Sequence, residues 1–468
     1  MNILLIGNLT ELIDSLYSFL YQPFALPLIL VAIGTWLTII TGYVQIRHFG
    51  VAFGTVMRGV LRKHEGGDGT ITPFQALSTA LASTVGNGNI GGVATAILVG
   101  GPGAIFWMWV CAAVGMATKY AEVVLGVHYR VTSATGELAA GPMYYISRGL
   151  KWKKPAMFLA YMFCIFGAAT ALLGTGNMAQ SNTIARTSVE AAKTIFNLDI
   201  PYWLPGIFVT ISVGLVLLGG IRRIAHVAEA LVPTMLSIYL LAGIVYVIIN
   251  IGHIPGVFAL IFKEAFTPAA AVGGFAGASV SAGIAAGISR GVLSNEAGMG
   301  SAPIAHGIAQ VDHPVQQGIV GIFEVFVDTI VVCSMTAFII LSSGMWTDAA
   351  YQQASGDLTA AALSTSIPFA SIIVALSSFL FGFSTLIGWC YYGEKCFEFL
   401  FGAKSVVFYR YLFVLLIMVG SVASVPLVFA LGTLLNGLMA LPNLIALIFL
   451  GGVVASLTRE YFGKKKTA

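Results

Sequence analysis

Two Gly-Asn pairs, Gly86-Asn87 and Gly88-Asn89, stand in a stretch that is otherwise apolar enough to cross a membrane. Glycine is a poor helix former, and an Asn amide needs hydrogen-bond partners that lipid does not offer. Non-helical backbone survives at membrane depth only where it is buried in protein or lines a cavity. The pattern predicts two half-helices meeting here, with freed amides around Gly88 to Gly91 and freed carbonyls near Thr84 to Gly86 aimed at something bound. The positive end of the second half-helix suits an anionic group, and the carbonyls suit a cation. The bland alternative is that Asn87 and Asn89 only cap the half-helices.

Further along, Ser384-Thr385 precedes Trp389 in one apolar run. Adjacent hydroxyls supply the hard oxygen ligands a small cation prefers, unless they merely bond back to their own backbone carbonyls. Thr385 and Trp389 are one helical turn apart, on one face. Glu324 and Asp328, spaced i and i+4, are intramembrane carboxylates, costly groups that default to function. They are candidates to neutralise a cation or take a proton, or to partner hydroxyls and amides on other spans. Lys119 and Glu122 read as an internal ion pair with a structural role. Ser294-Asn295-Glu296 reads as part of an inner gate or short connecting helix, and not as a ligand. No Ser/His/Asp or Cys/His constellation, metal-ligand spacing or nucleotide loop is present, which argues against an enzyme.

These residues need a membrane scaffold, and the composition supplies one. Of 468 residues, 58% are hydrophobic and only 9% charged, where a soluble protein carries about 25% charged residues. The 54 glycines suit closely packed membrane helices. The net charge of +4 is no sign of nucleic-acid binding, because the basic residues sit in short loops between apolar spans. The five cysteines lack metal or redox spacing and read as buried hydrophobes. The N-terminus has no basic region and no small-residue cleavage site, so no signal peptide is expected to be removed.

Apolar windows of roughly 20 residues number eleven, near 25–45, 72–99, 104–128, 156–178, 204–220, 230–251, 269–290, 316–343, 367–389, 406–429 and 434–457. Segment 3–20, broken by Asn8, Glu11 and Asp14, reads as an interfacial amphipathic helix. With the N-terminus outside, 19 of the 23 Lys and Arg fall on the cytoplasmic side, Arg290 and Lys464 to Lys466 among them. Only Arg186, Lys193 and Lys263 fall outside, and Lys119 lies within a span. The positive-inside rule therefore sets the C-terminus in the cytoplasm.

Span 7 is also interrupted by glycine, at Gly273, Gly274, Gly277, Gly283 and Gly287. Spans 2 and 7 hold equivalent places in two sets of five that start on opposite sides of the membrane. The expected architecture is all-α, with about eleven spans in a five-plus-five inverted repeat. Residues 1–71 form an N-terminal extension, 72–252 the first repeat, and 253–468 the second repeat with a basic tail. Paired interrupted spans are the best sequence-level pointer to a secondary transporter site. Glycines in span 7 serving only close helix packing are the plain alternative.

The run GNGNIGGVATAILVGGPGA from Gly86 to Ala104 resembles the signature of the alanine/glycine:cation symporter family. Phe106-Trp107-Met108-Trp109, Gly141-Pro142-Met143-Tyr144-Tyr145 and RGVLSNEAGMGSAPIAH from Arg290 to His306 extend the resemblance over nearly the whole chain. It implies a leucine-transporter-like fold in a bacterial or archaeal inner membrane, coupling uptake of alanine or glycine to sodium, with no cofactor. The zwitterion is then expected at Gly86, Asn87, Gly88, Asn89, Ile90, Gly91, Phe275, Gly277, Thr385 and Trp389. The cation is expected at Thr84, Val85, Ser384 and Thr385, the last two on a span that runs beside the first broken helix in that fold. A proton-coupled amino acid carrier is the nearer alternative, and an ion channel the remoter one.

Overall fold

The computed structural model describes residues 15–16, 19–22, 25–61, 67–133, 136–267, 280–351 and 355–464. The expected interfacial helix at 3–20 falls largely outside these residues, as do Phe275 and Gly277. The chain is a bundle of helices. In order they are α1 (Leu26–Ile40), α2 (Phe49–Leu61), α3 (Pro73–Thr84), α4 (Gly91–Gly100), α5 (Ala104–His128), α6 (Pro142–Gly149), α7 (Lys153–Leu173), α8 (Met178–Phe196) and α9 (Trp203–Leu217). There follow α10 (Gly220–Ile249), α11 (Ile254–Glu264), α12 (Val280–Asn295), α13 (Pro303–His306), α14 (Pro314–Ser343), α15 (Ser355–Ser364), α16 (Ala370–Phe401), α17 (Val406–Val422) and α18 (Val425–Lys464). Seven segments among the described residues are long and apolar enough to cross a membrane, and α1 and α9 are shorter apolar helices. A two-stranded hairpin, Val131–Thr132 against Leu138–Ala139, fills the loop after α5.

Local chemistry explains where the important helices begin. Thr72 and Gln75 form a reciprocal capping box ahead of Pro73, which opens α3. His313 and Gln316 do the same ahead of Pro314 at α14. Midway along α14, residues Phe326–Cys333 widen into a π-helical stretch, a feature frequent at functional sites. It carries Asp328 and Thr329 to the broken helices.

Small residues let the helices approach closely, as membrane packing requires. A Cβ on Gly388 of α16 would lie 2.1 Å from Ser83 Oγ on α3, and one on Gly287 of α12 would lie 2.3 Å from the Ala104 carbonyl. Thr70 N donates to Ile308 O at 2.8 Å, and Gln310 N donates to Ile71 O at 2.9 Å. The start of the first broken helix is thereby joined to the end of the second. The two broken helices run in opposite senses, as an inverted repeat demands.

Candidate functional site

The first break follows α3. Val85 and Gly86 are extended, Asn87–Asn89 make one tight turn, and the helix resumes at Gly91. Both Asn side chains hold this turn. Asn89 Oδ1 accepts from Gly86 N at 2.9 Å, and its Nδ2 donates to Asp328 Oδ1 at 2.7 Å. Asn87 Nδ2 donates to Gln180 Oε1 at 3.1 Å, and its Oδ1 accepts from Ser378 Oγ at 2.7 Å. With those groups occupied, the backbone N–H groups of Gly88, Gly91 and Gly92 have no acceptor among the described residues, and all three glycines line a cavity. They sit at the positive end of α4, an arrangement that binds anions.

Of the five glycines expected to interrupt span 7, Gly273, Gly274 and Gly277 lie outside the described residues. Helix α12 runs without interruption through Gly283 and Gly287, whose role is close packing against Gly100 and Ala104. The chain departs from helix at Glu296 (φ +57), Gly298 (φ +93) and Gly300 (φ +79), before the short helix α13. Ser294 and Asn295 are thus the last residues of α12, and Glu296 opens the non-helical segment that breaks the helical run. Positive φ at Glu296 is uncommon for a non-glycine residue and signals a constrained site. The Asn295 side chain steadies it, accepting from Ala297 N at 3.0 Å and donating to Thr329 Oγ1 at 3.1 Å.

Between the breaks lies a cavity of about 530 Å³. Its base is formed by Gly86, Asn87, Gly88, Thr385, Trp389 and Glu296. From there it rises past Gln180, Thr183 and Arg290 to Arg186, Glu190, Tyr202 and Asp357. Arg290 is on α12 facing this cavity, not in a cytoplasmic loop. Near the mouth Arg186 lies over the Tyr202 ring at 5.3 Å. Burial, then the charge of Glu190, push the Asp357 carboxyl above its ordinary range, with Arg186 opposing.

Trp389 Nε1 donates to Glu296 Oε1 at 2.9 Å, joining α16 to the second break. Thr385 Oγ1 donates to Phe381 O at 2.8 Å, and Ser384 Oγ to the same carbonyl at 2.9 Å. Thr385 also abuts the first break, since a Cβ on Gly86 would lie 2.7 Å from its Oγ1. Thr84 and Thr385 line the cavity, whereas Val85 and Ser384 are buried behind its wall. Asn89 and Ile90 are turned into the protein.

The carboxylates of α14 are fully buried and partnered. Glu324 Oε1 accepts from Lys119 Nζ at 3.0 Å and lies 2.8 Å from Thr84 Oγ1. Its Oε2 is 2.9 Å from His306 Nε2. Lys119 thus pairs with Glu324 on α14, and not with Glu122 on its own helix. Asp328 receives Asn89 from the first break and Ser294 Oγ (2.8 Å) from the second, bridging the two.

Helix α8 was missed by the apolar windows, although it forms one whole wall of the cavity. Its signal is the polar face Gln180, Thr183, Arg186–Thr187 and Glu190, spaced by helical turns. Glu296 and Gln180 are the principal site residues absent from the sequence-based set.

Two broken helices running in opposite senses around a central cavity, in a multi-pass helical bundle, define a secondary transporter. Residues 6–468 match the sodium:alanine symporter family, and the chain belongs to that family. It is 44% identical over 457 residues to the sodium/alanine symporter AgcS of Methanococcus maripaludis, covering 97% of each chain. It is 41% identical over 463 residues to an uncharacterized transporter of Haemophilus influenzae, covering 98% of this chain and 97% of that one. Its fold is similar to that of MhsT, crystallised with L-phenylalanine, with a TM-score of 0.54 at 14% identity, covering 84% of this chain and 99% of that one. The chain is a transporter and not an enzyme.

Proposed function

We propose that the protein couples entry of a small neutral amino acid, alanine or glycine, to sodium by alternating access. The observation that carries this reading is the set of free amides at Gly88, Gly91 and Gly92 facing a cavity whose base holds the Glu296 carboxylate. An amino acid carboxylate fits the amides, and its ammonium fits acceptors at the base, Glu296 first among them. The indole of Trp389 walls the space left for the side chain. The cation is assigned to the Thr84 and Val85 carbonyls with the Ser384 and Thr385 hydroxyls. Repeats 72–252 and 253–468 supply the two elements that rock around this site. The excess of Lys and Arg in loops on one side supports an N-terminus outside and a C-terminus inside the cytoplasmic membrane.

Replacing sodium by choline at fixed pH in alanine uptake by proteoliposomes tests the coupling ion. Uptake that persists undiminished in choline would overturn sodium coupling and favour a proton-driven carrier. Currents without any amino acid would instead favour a channel. A hydrophobic wall discriminates one methylene by only about 1–3 kcal/mol, so alanine and glycine should both compete. Leucine or phenylalanine competing as well as alanine would count against the small pocket.

A further inference from the structure

At and behind the cavity base three buried carboxylates surround the second break: Glu296 in the break, Glu122 on α5 and Glu324 on α14. Little positive charge faces them. Lys119 of α5 is committed to Glu324 at 3.0 Å. His306 of α13 has its Nδ1 2.7 Å from Gln317 Nε2, an amide that also donates to Pro73 O at 3.3 Å. His306 Nε2 in turn lies 2.9 Å from Glu324 Oε2, so the ring is held between Gln317 and that carboxyl. Tyr145 of α6 and Asn443 of α18 complete the surroundings and bring no charge, while Asp328 of α14 adds a further acid. Lys119, already paired with Glu324, is the one lysine or arginine in an ion pair with these acids among the described residues.

Glu122 is the member with an unused oxygen. Its Oε1 accepts from Gly300 N at 2.9 Å and from Asn443 Nδ2 at 2.6 Å, while Oε2 has no hydrogen-bond partner among the described residues. Asn443 Nδ2 also donates to Gly298 O at 2.9 Å, so this cluster clasps the break to α5 and α18. A bare anionic oxygen in a low-dielectric interior is the costliest state available to this group. A neutral carboxyl, with its carbonyl at Oε1 and its hydroxyl at Oε2, matches the observed donors at far lower cost. A metal cation needs several oxygens around it, and Oε2 offers only one. Among the described residues no three acid, imidazole or thiol side chains converge as metal ligands. A proton needs only the one oxygen.

We propose that Glu122 is a proton-binding site, loaded while the inner side is closed and emptied to cytoplasmic water as the Gly298–Gly300 segment parts from α5 and α18. The Glu122 O–H bond breaks, water takes the proton, and the carboxylate remains. The proposal rests on the symporter reading above. Its test is sodium-driven alanine exchange in proteoliposomes across internal pH 5.5 to 8.5, with alanine binding to the solubilised protein measured in parallel.

In the native protein the exchange rate should rise with internal pH, with a slope of up to about tenfold per pH unit for one proton. Glu122→Gln, permanently neutral, should keep alanine binding and flatten that slope. Glu122→Asp, which still titrates, should restore it. A native rate that does not change with internal pH, or an undiminished slope in Glu122→Gln, overturns the proposal. Loss of alanine binding in the native protein at every pH would overturn the substrate reading instead. The same series with the amino acid that does bind would then decide the proton site.

Discussion

The indole of Trp389, on an unbroken helix, donates to the carboxylate of Glu296, the residue at which the second broken helix leaves helical geometry; Nε1 and Oε1 are 2.9 Å apart. Both residues line the cavity base. The contact ties the proposed substrate wall to the segment at which the second broken helix leaves helical geometry. Trp389→Phe keeps an aromatic wall and removes only the donor, leaving Glu296 Oε1 unpaired. A lost partner to a buried charged group costs about 1–3 kcal/mol or more. Alanine affinity should therefore fall by at least several-fold, measured by equilibrium binding at saturating sodium. An unchanged dissociation constant would separate this contact from the site.

Thr385→Ala should weaken sodium activation more than it weakens alanine binding at saturating sodium, with Ser384→Ala milder. Thr385 faces the cavity beside Gly86, whereas Ser384 is buried behind it. Because linkage is reciprocal, alanine affinity should recover as sodium is raised. A sodium activation curve identical to the native one in Thr385→Ala would remove α16 from the cation site.

Breaking the Lys119–Glu324 pair should cost far more than a surface ion pair. Lys119→Met strands a buried carboxylate, a change typically worth about 3–5 kcal/mol. The double variant Lys119→Met with Glu324→Gln should recover much of that loss. Thermal unfolding of the purified protein reads both, and equal destabilisation in single and double variants would refute a paired role.

The glycines should separate sharply by position. Gly388→Ala places a Cβ 2.1 Å from Ser83 Oγ, while Gly88→Ala meets nothing within 4 Å among the described residues. Overpacking of this kind costs about 1–3 kcal/mol, so Gly388→Ala should lower the melting temperature and Gly88→Ala should leave it nearly unchanged. Gly88→Ala is instead expected to impair alanine binding, since the added methyl stands in the cavity.

Topology offers a direct check on orientation. A reporter fused after Lys464 should be active only in the cytoplasm. Activity confined to the periplasm would invert every assignment of inner and outer side.

The first break was legible in the sequence because Gly86 to Asn89 combine two poor helix formers with two amides that lipid cannot satisfy. The hydroxyl pair Ser384-Thr385 and the carboxylates Glu324 and Asp328 were equally visible, since polar groups stand out against an apolar run. What each of them touches was not. Lys119 reads as the neighbour of Glu122 along one helix, yet folding brings Glu324 from another helix within 3.0 Å of it. Of the glycines expected to interrupt span 7, Gly273, Gly274 and Gly277 lie outside the described residues, and Gly283 and Gly287 show that glycine in a membrane helix also serves packing. Gly283 and Gly287 let helices approach, and the departure from helix at Glu296 went unread because a charged residue after a helical run looks like a loop. Helix α8 escaped notice because a helix facing a polar cavity is not apolar all round. Hydropathy marks the segments apolar enough to enter the membrane, and charge spacing gives the sense expected of them. The choice of partners for buried polar groups, and so the site itself, is made only when distant spans pack and each unsatisfied donor or acceptor must find its complement.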